Sequence, residues 1–255
     1  MSSATVYLVG AGPGAVDLLT VRAANILAQA EIVFHDALVN HALLDYCSPT
    51  CEIVAVGTRG GQNAAQRQEN ILRQLAEASQ HYKTIVRLKG GDPGIFGRAG
   101  EELAFLTSQG IQWEVVPGIS AGIGGLSQLG LPLTHRELSS SVVLLTGSEM
   151  SSGDCKTLPL TPPLVGSQTF VVYMAVRHLA AIAQRFMHMG LPASTPALCV
   201  SWLTYPHQTL VCAPLAEISP AVAESTIEAP AILVVGDVVG FWTHLRPPGV
   251  GTERL

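Results

Sequence analysis

Short runs of β-branched and aliphatic residues alternate with helical patterns along most of the chain, and several of these runs end abruptly in glycine and proline. Strand-like runs separated by helical segments are typical of α/β proteins. The first run, Thr5–Val9, is followed by the glycine-rich turn Gly10–Gly14 and then by apolar residues at helical spacing from Leu19 to Ala30. This alternation predicts an α/β fold.

The predicted strands fall into an earlier and a later group. They are Thr5–Val9, Ile32–Phe34, Glu52–Val56, Thr84–Leu88, Trp113–Val116, Ser141–Leu145, Thr169–Met174, Ala197–Trp202, Gln208–Cys212 and Ala231–Val235. The stretch Ser148–Gln168 is rich in Ser, Gly, Pro and Thr and lacks periodicity, which indicates a linker or long loop. We assign the run that begins at Ser141 to the later group, place the boundary between residues 128 and 140, and predict α/β domains at 1–130 and 138–245.

The composition excludes several classes of protein. Hydrophobic residues make up 48% of the chain and charged residues 13%, which is typical of a folded globular protein. A net charge of -5 disfavours nucleic-acid binding, and no apolar run reaches the roughly 18 residues of a membrane span. The first residues lack the basic segment of a secretory leader, so we expect a cytoplasmic protein. The Cys and His residues lack metal-ligand spacing, which predicts that no metal is bound.

Three turns follow predicted strands and contain residues suited to close contact with a ligand. Gly10–Gly14 is a poor dinucleotide fingerprint, since Pro13 removes a backbone donor, and it is also compatible with a purely structural turn. Gly90–Pro93 and Val116–Ala121 follow two further strands. Ligands of open α/β sheets bind beyond the carboxyl ends of the strands, so these turns predict a cleft for a nucleoside-type cofactor, although Asp92 is equally compatible with a turn residue.

Several segments in sequence order resemble the uroporphyrinogen III C-methyltransferases of the tetrapyrrole methylase family. They are Gly10–Gly14, His35–Val39, Arg87–Pro93, Ile95–Arg98, Gly100–Glu102, Val116–Ile119, Leu131–Arg136, Ser140–Val142, Tyr173–Met174 and Ala231–Gly236. The resemblance implies two α/β domains of the tetrapyrrole methylase type with the cofactor in the cleft between them, and a homodimer. It implies methylation of uroporphyrinogen III to precorrin-2, by way of precorrin-1, with S-adenosyl-L-methionine as the donor and S-adenosyl-L-homocysteine as the product.

The resemblance also assigns the contacts to the cofactor, position by position. They are Pro13, Gly90, Gly91, Asp92, Ile95, Ser120, Ala121, Met174, Leu203 and Ala231. Asp92 is expected to face the polar end of the cofactor, while Ile95 and Met174 are expected to pack on its apolar parts. Without the resemblance, ordinary core packing is the favoured explanation for Ile95 and Met174.

A tetrapyrrole with several carboxylates needs cationic side chains to hold it, and the rigid fork of arginine suits carboxylates. The resemblance places Arg98 next to the reacting macrocycle, as a catalytic and substrate-binding residue, and Arg136 as a second contact. Glu101 is assigned to substrate binding as well, and with Glu102 it is positioned to orient Arg98 or to favour the start of a helix. Arg22 and Arg59 are lesser candidates. A solvated surface charge is the alternative for each arginine.

Asp36 matches the position of the proton acceptor in this family, although a structural hydrogen bond is an equally good explanation for it. Histidine side chains can accept and donate protons near neutral pH, so His35 and His135 are candidates for a proton relay, but a structural role is favoured for both.

Five positions depart from the family pattern: Thr58 replaces a lysine assigned as proton donor, Ala15 an acidic residue, Trp202–Leu203 an Asn-Gly pair, and Ser148 a histidine. A working methylase with an altered pocket is the favoured interpretation. A methylase of a later precorrin and a non-catalytic module that binds cofactor or tetrapyrrole are the alternatives. The sequence does not distinguish sirohaem, cobalamin and haem d1 as the end product.

Overall fold

The computed structural model describes residues 4–57, 64–147 and 167–245. Described residues up to Ser120 form one compact unit, and those from Ala121 onward form a second. Thr58, Arg59, Ser148, the tail from residue 247 and nearly all of the predicted linker lie outside the described residues.

The first unit is built on a five-stranded parallel sheet with the order β3-β2-β4-β1-β5. The strands are β1 (Thr5–Gly10), β2 (Ile32–His35), β3 (Glu52–Ala55), β4 (Thr84–Lys89) and β5 (Gln112–Val116). Short 3-10 helices span Val16–Leu18 and His41–Tyr46, and the α-helices are α1 (Val21–Leu27), α2 (Ala64–Ala78) and α3 (Ala99–Ser108).

Both faces of the central strands β1, β2 and β4 are buried. Val9, Val33 and Val86 pack with Leu27 of α1 on one face. Their strand neighbours pack with α2 and α3 on the other, for example Leu8 and Ile85 against Leu75 and Leu106. Because successive side chains of a strand point to opposite faces, burial on both sides produces continuous apolar runs, which is why the sequence shows them. The predicted α/β class is confirmed.

The connections after β1 and β4 lead to opposite faces of the sheet, since α1 packs on one face and α3 on the other. β1 and β4 are neighbours. Such a reversal between adjacent parallel strands is the topological switch point at which open α/β sheets bind ligands, beyond the carboxyl ends of the strands. The carboxyl edge of the first sheet is therefore the expected location of a ligand-binding site in this unit.

The second unit contains a mixed sheet with the order β6-β7-β10-β8-β9, in which only the β6–β7 pair is parallel. Its strands are β6 (Ser141–Thr146), β7 (Gln168–Tyr173), β8 (Pro196–Ser201), β9 (Thr209–Pro214) and β10 (Ala231–Val235). Its described helices are a π-helical turn at Ala121–Gly125, α4 (Leu126–Gln128), a 3-10 turn at Val176–His178, α5 (Leu179–His188), α6 (Ile218–Ala223) and α7 (Asp237–Leu245).

Two apolar layers cover the second sheet. Phe170 and Leu233 pack with Phe186 of α5 on one face, and Val234 packs with Leu126 and Trp242 on the other. The residues from Ala121 to Leu131 thus contribute to the core of the second unit. The predicted domain boundaries, 1–130 and 138–245, stay a prediction, because compact units need not coincide with independently folding domains.

The strands lie within two residues of their predicted bounds.

In the described ranges, no helix is both long enough and apolar enough to cross a membrane.

Candidate active site

Two glycine-rich turns bond directly to each other at the carboxyl edge of the first sheet. The backbone N–H of Gly12 donates to the Gly91 carbonyl oxygen at 3.1 Å, and Gly91 N–H donates to the Gly12 oxygen at 2.8 Å. Both residues have positive φ, 77° and 69° respectively, which glycine adopts at little cost. The turns after β1 and β4 therefore form one rigid backbone platform.

The third turn, Val116–Ala121, packs against this platform so closely that there is no space for side chains at the points of contact. A Cβ added to Gly10 would lie 2.5 Å from the Gly118 Cα and 2.7 Å from the Gly91 oxygen. A Cβ on Gly118 would lie 2.3 Å from the same oxygen. These separations are well inside van der Waals contact, so the three turns require glycine at these positions.

Asp92 joins the turns through its carboxylate. Its Oδ1 accepts a hydrogen bond from Gly94 N–H at 2.8 Å, and its Oδ2 accepts one from Gly118 N–H at 2.9 Å. This geometry is that of a turn residue, which is the alternative that the sequence left open. Contact between Asp92 and a cofactor stays a prediction.

Part of the surface of the platform is accessible. Pro13, Gly90, Gly91 and Ile95 are half-buried, whereas Ser120 is buried. A Cβ added to Gly90 would meet only the Leu38 Cβ, at an ordinary 3.5 Å. Accessible backbone that lacks side chains fits a nucleoside-type ligand, which needs close approach to the main chain.

A cluster of charged residues is buried beside this edge, between the sheet and α3. Glu102 is fully buried, and its Oε1 accepts hydrogen bonds from Lys89 Nζ at 2.9 Å, Arg87 Nε at 3.2 Å and Gln68 Nε2 at 3.3 Å. Arg87 Nη2 also donates to Oδ1 of Asp36 at 2.5 Å. Buried ions are tolerated only when they are paired in this manner. We call Asp36, Gln68, Arg87, Lys89 and Glu102 the buried charge cluster.

Burial affects the protonation of one member of this cluster. Removal of the Lys89 ammonium from water lowers its pKa, as does the neighbouring Arg87 charge, while Glu102 and Asp36 act in the opposite direction. Glu102 Oε2 is buried and lacks a hydrogen-bond partner in the part of the chain that the structure describes.

The proposed substrate arginine forms a two-pronged ion pair with the neighbouring Glu101. Arg98 Nε donates to Glu101 Oε1 at 2.8 Å, and Arg98 Nη2 donates to Glu101 Oε2 at 2.6 Å. This fork raises the pKa of Arg98 and lowers that of Glu101. Glu102 points into the buried charge cluster, because it lies about 100° further around helix α3 than Glu101. Both glutamates lie in the first turn of α3, where an acidic side chain favours the start of a helix, which is the alternative that the sequence left open.

Arg98 itself immediately precedes α3 and has a left-handed backbone, φ 57°. Only Gly, Asn and Asp adopt this conformation readily, so an arginine there is held by its surroundings. Its side chain is 40% exposed. A guanidinium oriented by a glutamate and open to solvent can bind an anionic ligand.

The remaining candidates in this unit have structural contacts. Arg22 forms an ion pair with Glu114 of β5. His35 is buried, its ring lies edge-on to His41 at 5.2 Å between centroids, and its Nδ1 is 3.2 Å from the Asp36 carbonyl oxygen. The favoured structural role of His35 is consistent with this burial.

The second unit contains four of the predicted cofactor residues. Met174 has a left-handed backbone, φ 56°, and is 54% exposed, so ordinary core packing does not explain it. Leu203 and Ala231 are buried in the apolar layers, and Ala121 is half-buried in the π-helical turn. A contact between Leu203 and a cofactor would therefore involve its backbone rather than its side chain.

The turn before β6 contains the other predicted contacts of this unit. Arg136 is exposed, whereas the His135 ring packs on Phe241 at 4.6 Å between centroids and its Nδ1 accepts from Glu137 N–H.

Trp202, which follows β8, has positive φ like Met174, 50°, and its indole Nε1 donates to Glu228 Oε1 at 3.1 Å.

Residue types alone did not identify Arg87, Lys89 and Glu102 as a buried cluster. One signal was available: Arg87 and Lys89 interrupt an otherwise apolar parallel strand at alternate positions, and therefore point to the same buried face. Charged residues at such positions require buried partners.

A surface depression of about 300 Å³ lies elsewhere in the first unit, lined by the first residues of β2 and β3, Ile32 and Glu52, and by His81 and Tyr82 after α2. Within residues 4–57, 64–147 and 167–245, no group of three or more His, Cys, Asp or Glu is arranged to hold a metal ion.

Comparison with protein families identifies the chain. The model of the Tetrapyrrole (Corrin/Porphyrin) Methylases matches residues 5–219. The chain belongs to the tetrapyrrole methylases. The resemblance of the three turns and of the Ile95–Arg98 segment is therefore a family relationship and not a chance pattern.

Individual tetrapyrrole methylases are similar over most of the chain. A uroporphyrinogen-III C-methyltransferase of Synechocystis sp. is 42% identical over 241 residues, which cover 94% of this chain and 91% of that protein. A siroheme synthase of Chromobacterium violaceum is 44% identical over 92% of this chain. The chain spans only 49% of the length of that synthase.

A solved structure supports the same relationship. Uroporphyrin-III C-methyl transferase from Thermus thermophilus, complexed with S-adenyl homocysteine, has a TM-score of 0.77 and 36% identity to this chain. The match covers 93% of this chain and 99% of that one. The two-sheet α/β fold is thus the fold of this family.

Proposed function

We propose that this chain catalyses the S-adenosyl-L-methionine-dependent C-methylation of uroporphyrinogen III, which yields precorrin-2 by way of precorrin-1. The observation that carries this proposal is the 42% identity with a uroporphyrinogen-III C-methyltransferase across 94% of the chain. The backbone platform beside Gly90 fits a nucleoside-type donor.

S-adenosyl-L-methionine supplies an electrophilic methyl group and becomes S-adenosyl-L-homocysteine. The protein has to align the ring carbon with this group, hold the anionic macrocycle still and accept the proton that is lost after transfer. In the first unit, Pro13, Gly90, Gly91, Asp92, Ile95 and Ser120 are the proposed donor contacts. In the second unit, the proposed donor contacts are Ala121, Met174, Leu203 and Ala231.

Arg98 is the proposed clamp for a carboxylate of the macrocycle, oriented by Glu101, and Arg136 is the proposed second clamp. Asp36 is the proposed proton acceptor. Its carboxylate is 30% exposed and thus accessible from outside the buried charge cluster. An ionised carboxylate at the accessible end of a cluster is suited to take up a proton.

The decisive experiment is an anaerobic incubation of the chain with uroporphyrinogen III and S-adenosyl-L-methionine, followed by mass spectrometry of the macrocycle. The proposal predicts a gain of two methyl groups. Methylation only of a later precorrin would assign a different substrate, and tight donor binding without methylation of any macrocycle would indicate a binding module.

The role of Arg98 is tested by Arg98→Ala. Loss of a charge-assisted fork should raise the KM for the macrocycle about tenfold to a hundredfold, while the Kd for S-adenosyl-L-homocysteine changes less than about twofold. Arg73→Ala, an exposed arginine of α2, is the matched control and should change neither. Equal losses of both affinities in Arg98→Ala would contradict the assignment.

We further propose that the protein acts as a cytoplasmic homodimer that does not bind nucleic acid. The family resemblance supports the dimer, and the net charge of -5 disfavours nucleic-acid binding. Light scattering coupled to size exclusion measures the mass of the assembly, and a monomer at micromolar concentration would contradict the dimer.

A further inference from the structure

The two carboxylate oxygens of Asp36 have different surroundings. Oδ1 accepts a hydrogen bond of 2.5 Å from Arg87 Nη2. For Oδ2, no hydrogen bond is found to any residue that the structure describes. One oxygen is thus held by a buried cation, and the other is available to a ligand or to water.

Arg87 is itself held rigidly. Its side chain is 2% exposed; Nε donates to Glu102 Oε1 at 3.2 Å, and Nη1 donates to the carbonyl oxygens of Phe34 at 3.4 Å and Leu88 at 3.3 Å. The planar guanidinium has all of these donors in one fixed fork, so anchoring three of them orients the fourth. The direction of the Asp36 carboxylate is therefore set from the interior of the protein.

The groups around Asp36 come from several elements. Arg87 and Lys89 belong to β4, Glu102 belongs to α3, and His35 precedes Asp36 with its ring against His41. Glu102 also lies one turn after Arg98, the residue that immediately precedes α3. The hydrogen bonds from Asp36 through Arg87 to Glu102 consequently connect the proposed proton acceptor to the helix that follows the proposed substrate clamp.

We propose that Arg87 is a positioning residue for the methyl transfer, which holds Asp36 so that Oδ2 accepts the proton released by the methylated macrocycle. This inference rests on the proposed function. Arg87 is too deeply buried to contact the substrate, so it acts through Asp36.

An electron pair of a ring double bond of the macrocycle forms the new carbon–carbon bond, and the electrons of the broken sulfur–methyl bond stay on sulfur. The methylated carbon is then saturated, and its former double-bond partner is cationic. A C–H bond on a carbon next to this cation breaks, and its electron pair forms a new double bond to the cationic carbon. The proton binds to Asp36 Oδ2, and the neutral carboxylic acid later releases it to water.

A double-mutant cycle between Arg87→Met and Asp36→Asn tests the inference. Each single variant should lower kcat by about tenfold to a hundredfold, since a positioned base contributes on this scale. In the Asp36→Asn background, Arg87→Met should lower kcat by less than about twofold further, because its effect has already been lost. The KM for the donor should stay within about twofold in all variants.

Lys89→Met is the matched control, because Lys89 bonds to the same Glu102 oxygen but makes no hydrogen bond with Asp36 in the described structure. Lys89→Met should lower kcat less than Arg87→Met does. It should lower kcat by the same factor in the wild-type and in the Asp36→Asn background. If Arg87→Met does not fold, the cycle is run with Arg87→Lys, which keeps the buried charge but cannot bond Asp36 and Glu102 with one fork.

Three outcomes overturn the inference: an Asp36→Asn variant with unchanged kcat, multiplicative effects of the Arg87 and Asp36 substitutions, or a Lys89 control that behaves like Arg87. The wild-type protein is assayed in parallel. Absence of methylated macrocycle in the wild type contradicts the proposed function itself, whereas wild-type turnover with a multiplicative cycle contradicts only the role of Arg87.

Discussion

The cores of the two units differ in the polar groups that they bury. In the first unit, Arg87, Lys89 and Glu102 are buried as charged side chains between the sheet and α3. Among described residues of the second unit, the buried polar side chains are hydroxyls only: Ser139, Thr146, Thr169, Thr195 and Ser201. Both units form a five-stranded sheet. Building such a core therefore does not require buried charges.

Buried ion pairs seldom improve stability over apolar packing, because the cost of removing two charges from water offsets their attraction. The first unit nevertheless contains such a cluster, directly beneath the carboxyl edge with its glycine platform. The difference indicates that the charges serve the site rather than the fold. Substitutions in the two cores test whether this difference between the units holds.

The largest effect is expected for Glu102→Ala in the first unit. It removes the shared acceptor of Arg87 and Lys89 and should lower the free energy of unfolding by about 3–5 kcal/mol. Hydrogen exchange should increase in β4 and α3 before it increases in β7 and β10. The neighbouring Glu101→Ala, on the exposed side of α3, is the control and should cost less than about 1 kcal/mol. Similar losses of unfolding free energy in Glu102→Ala and Glu101→Ala would contradict the proposed difference between the buried and the exposed glutamate.

The same substitution has a pH dependence whose sign follows from Lys89. Burial lowers the pKa of this lysine from its ordinary 10.5, so the unfolded chain binds the proton more tightly than the folded protein does. Stability therefore rises with pH in the window just below 10.5. In Glu102→Ala the Lys89 ammonium has lost its stabilising partner. The decrease in the free energy of unfolding that this substitution causes, measured by urea unfolding, should therefore become smaller as the pH approaches 10.5.

A smaller effect is expected for Thr169→Val in the second unit. The Thr169 and Ser139 hydroxyls form a buried hydrogen bond of 2.7 Å. Removal of one partner should cost about 1 kcal/mol. The double variant Ser139→Ala/Thr169→Val should lower the free energy of unfolding by less than the sum of the two single variants. Each single variant leaves one hydroxyl buried without the other, whereas the double variant removes both hydroxyls. A loss as large as that of Glu102→Ala would contradict the proposed difference between the cores.

The smallest effect is expected for the exposed pair on α3. Hydrogen bonds from Arg98 lower the pKa of Glu101, so this pair contributes stability above the ordinary value of 4.5 and loses it as the pH falls through the folded-state pKa. Glu101 is 53% exposed, and solvent screening should keep the cost of Glu101→Gln below about 0.5 kcal/mol at pH 7. Thermal unfolding of the two proteins should converge in acid. A gap that persists there would contradict this assignment.

Much of the fold could be predicted from sequence because it depends on local pattern. The apolar runs of β1, β4 and β10 have the composition of strands buried on both faces. The glycine turns after β1 and β4 mark the carboxyl edge, where the polar main chain is exposed. The bounds shifted by one or two residues, since the ends of strands depend on which carbonyls find partners in the neighbouring strand.

Less of the site could be predicted, because its contacts join residues that are far apart along the chain. Glu101 and Glu102 are chemically equivalent in the sequence, and only the packing of α3 decided that one pairs with exposed Arg98 and the other with buried Arg87 and Lys89. Met174 has the hydropathy of a core residue but is exposed on a left-handed backbone.

The α/β class, the positions of the strands and the family follow from residue order and hydrophobic periodicity alone. The locations of the charged side chains depend on how the chain packs. The strength of an ionic contact depends on distance and on burial, and both are properties of the packed chain. The pairing of Asp36 with Arg87, across two adjacent strands, is the clearest case.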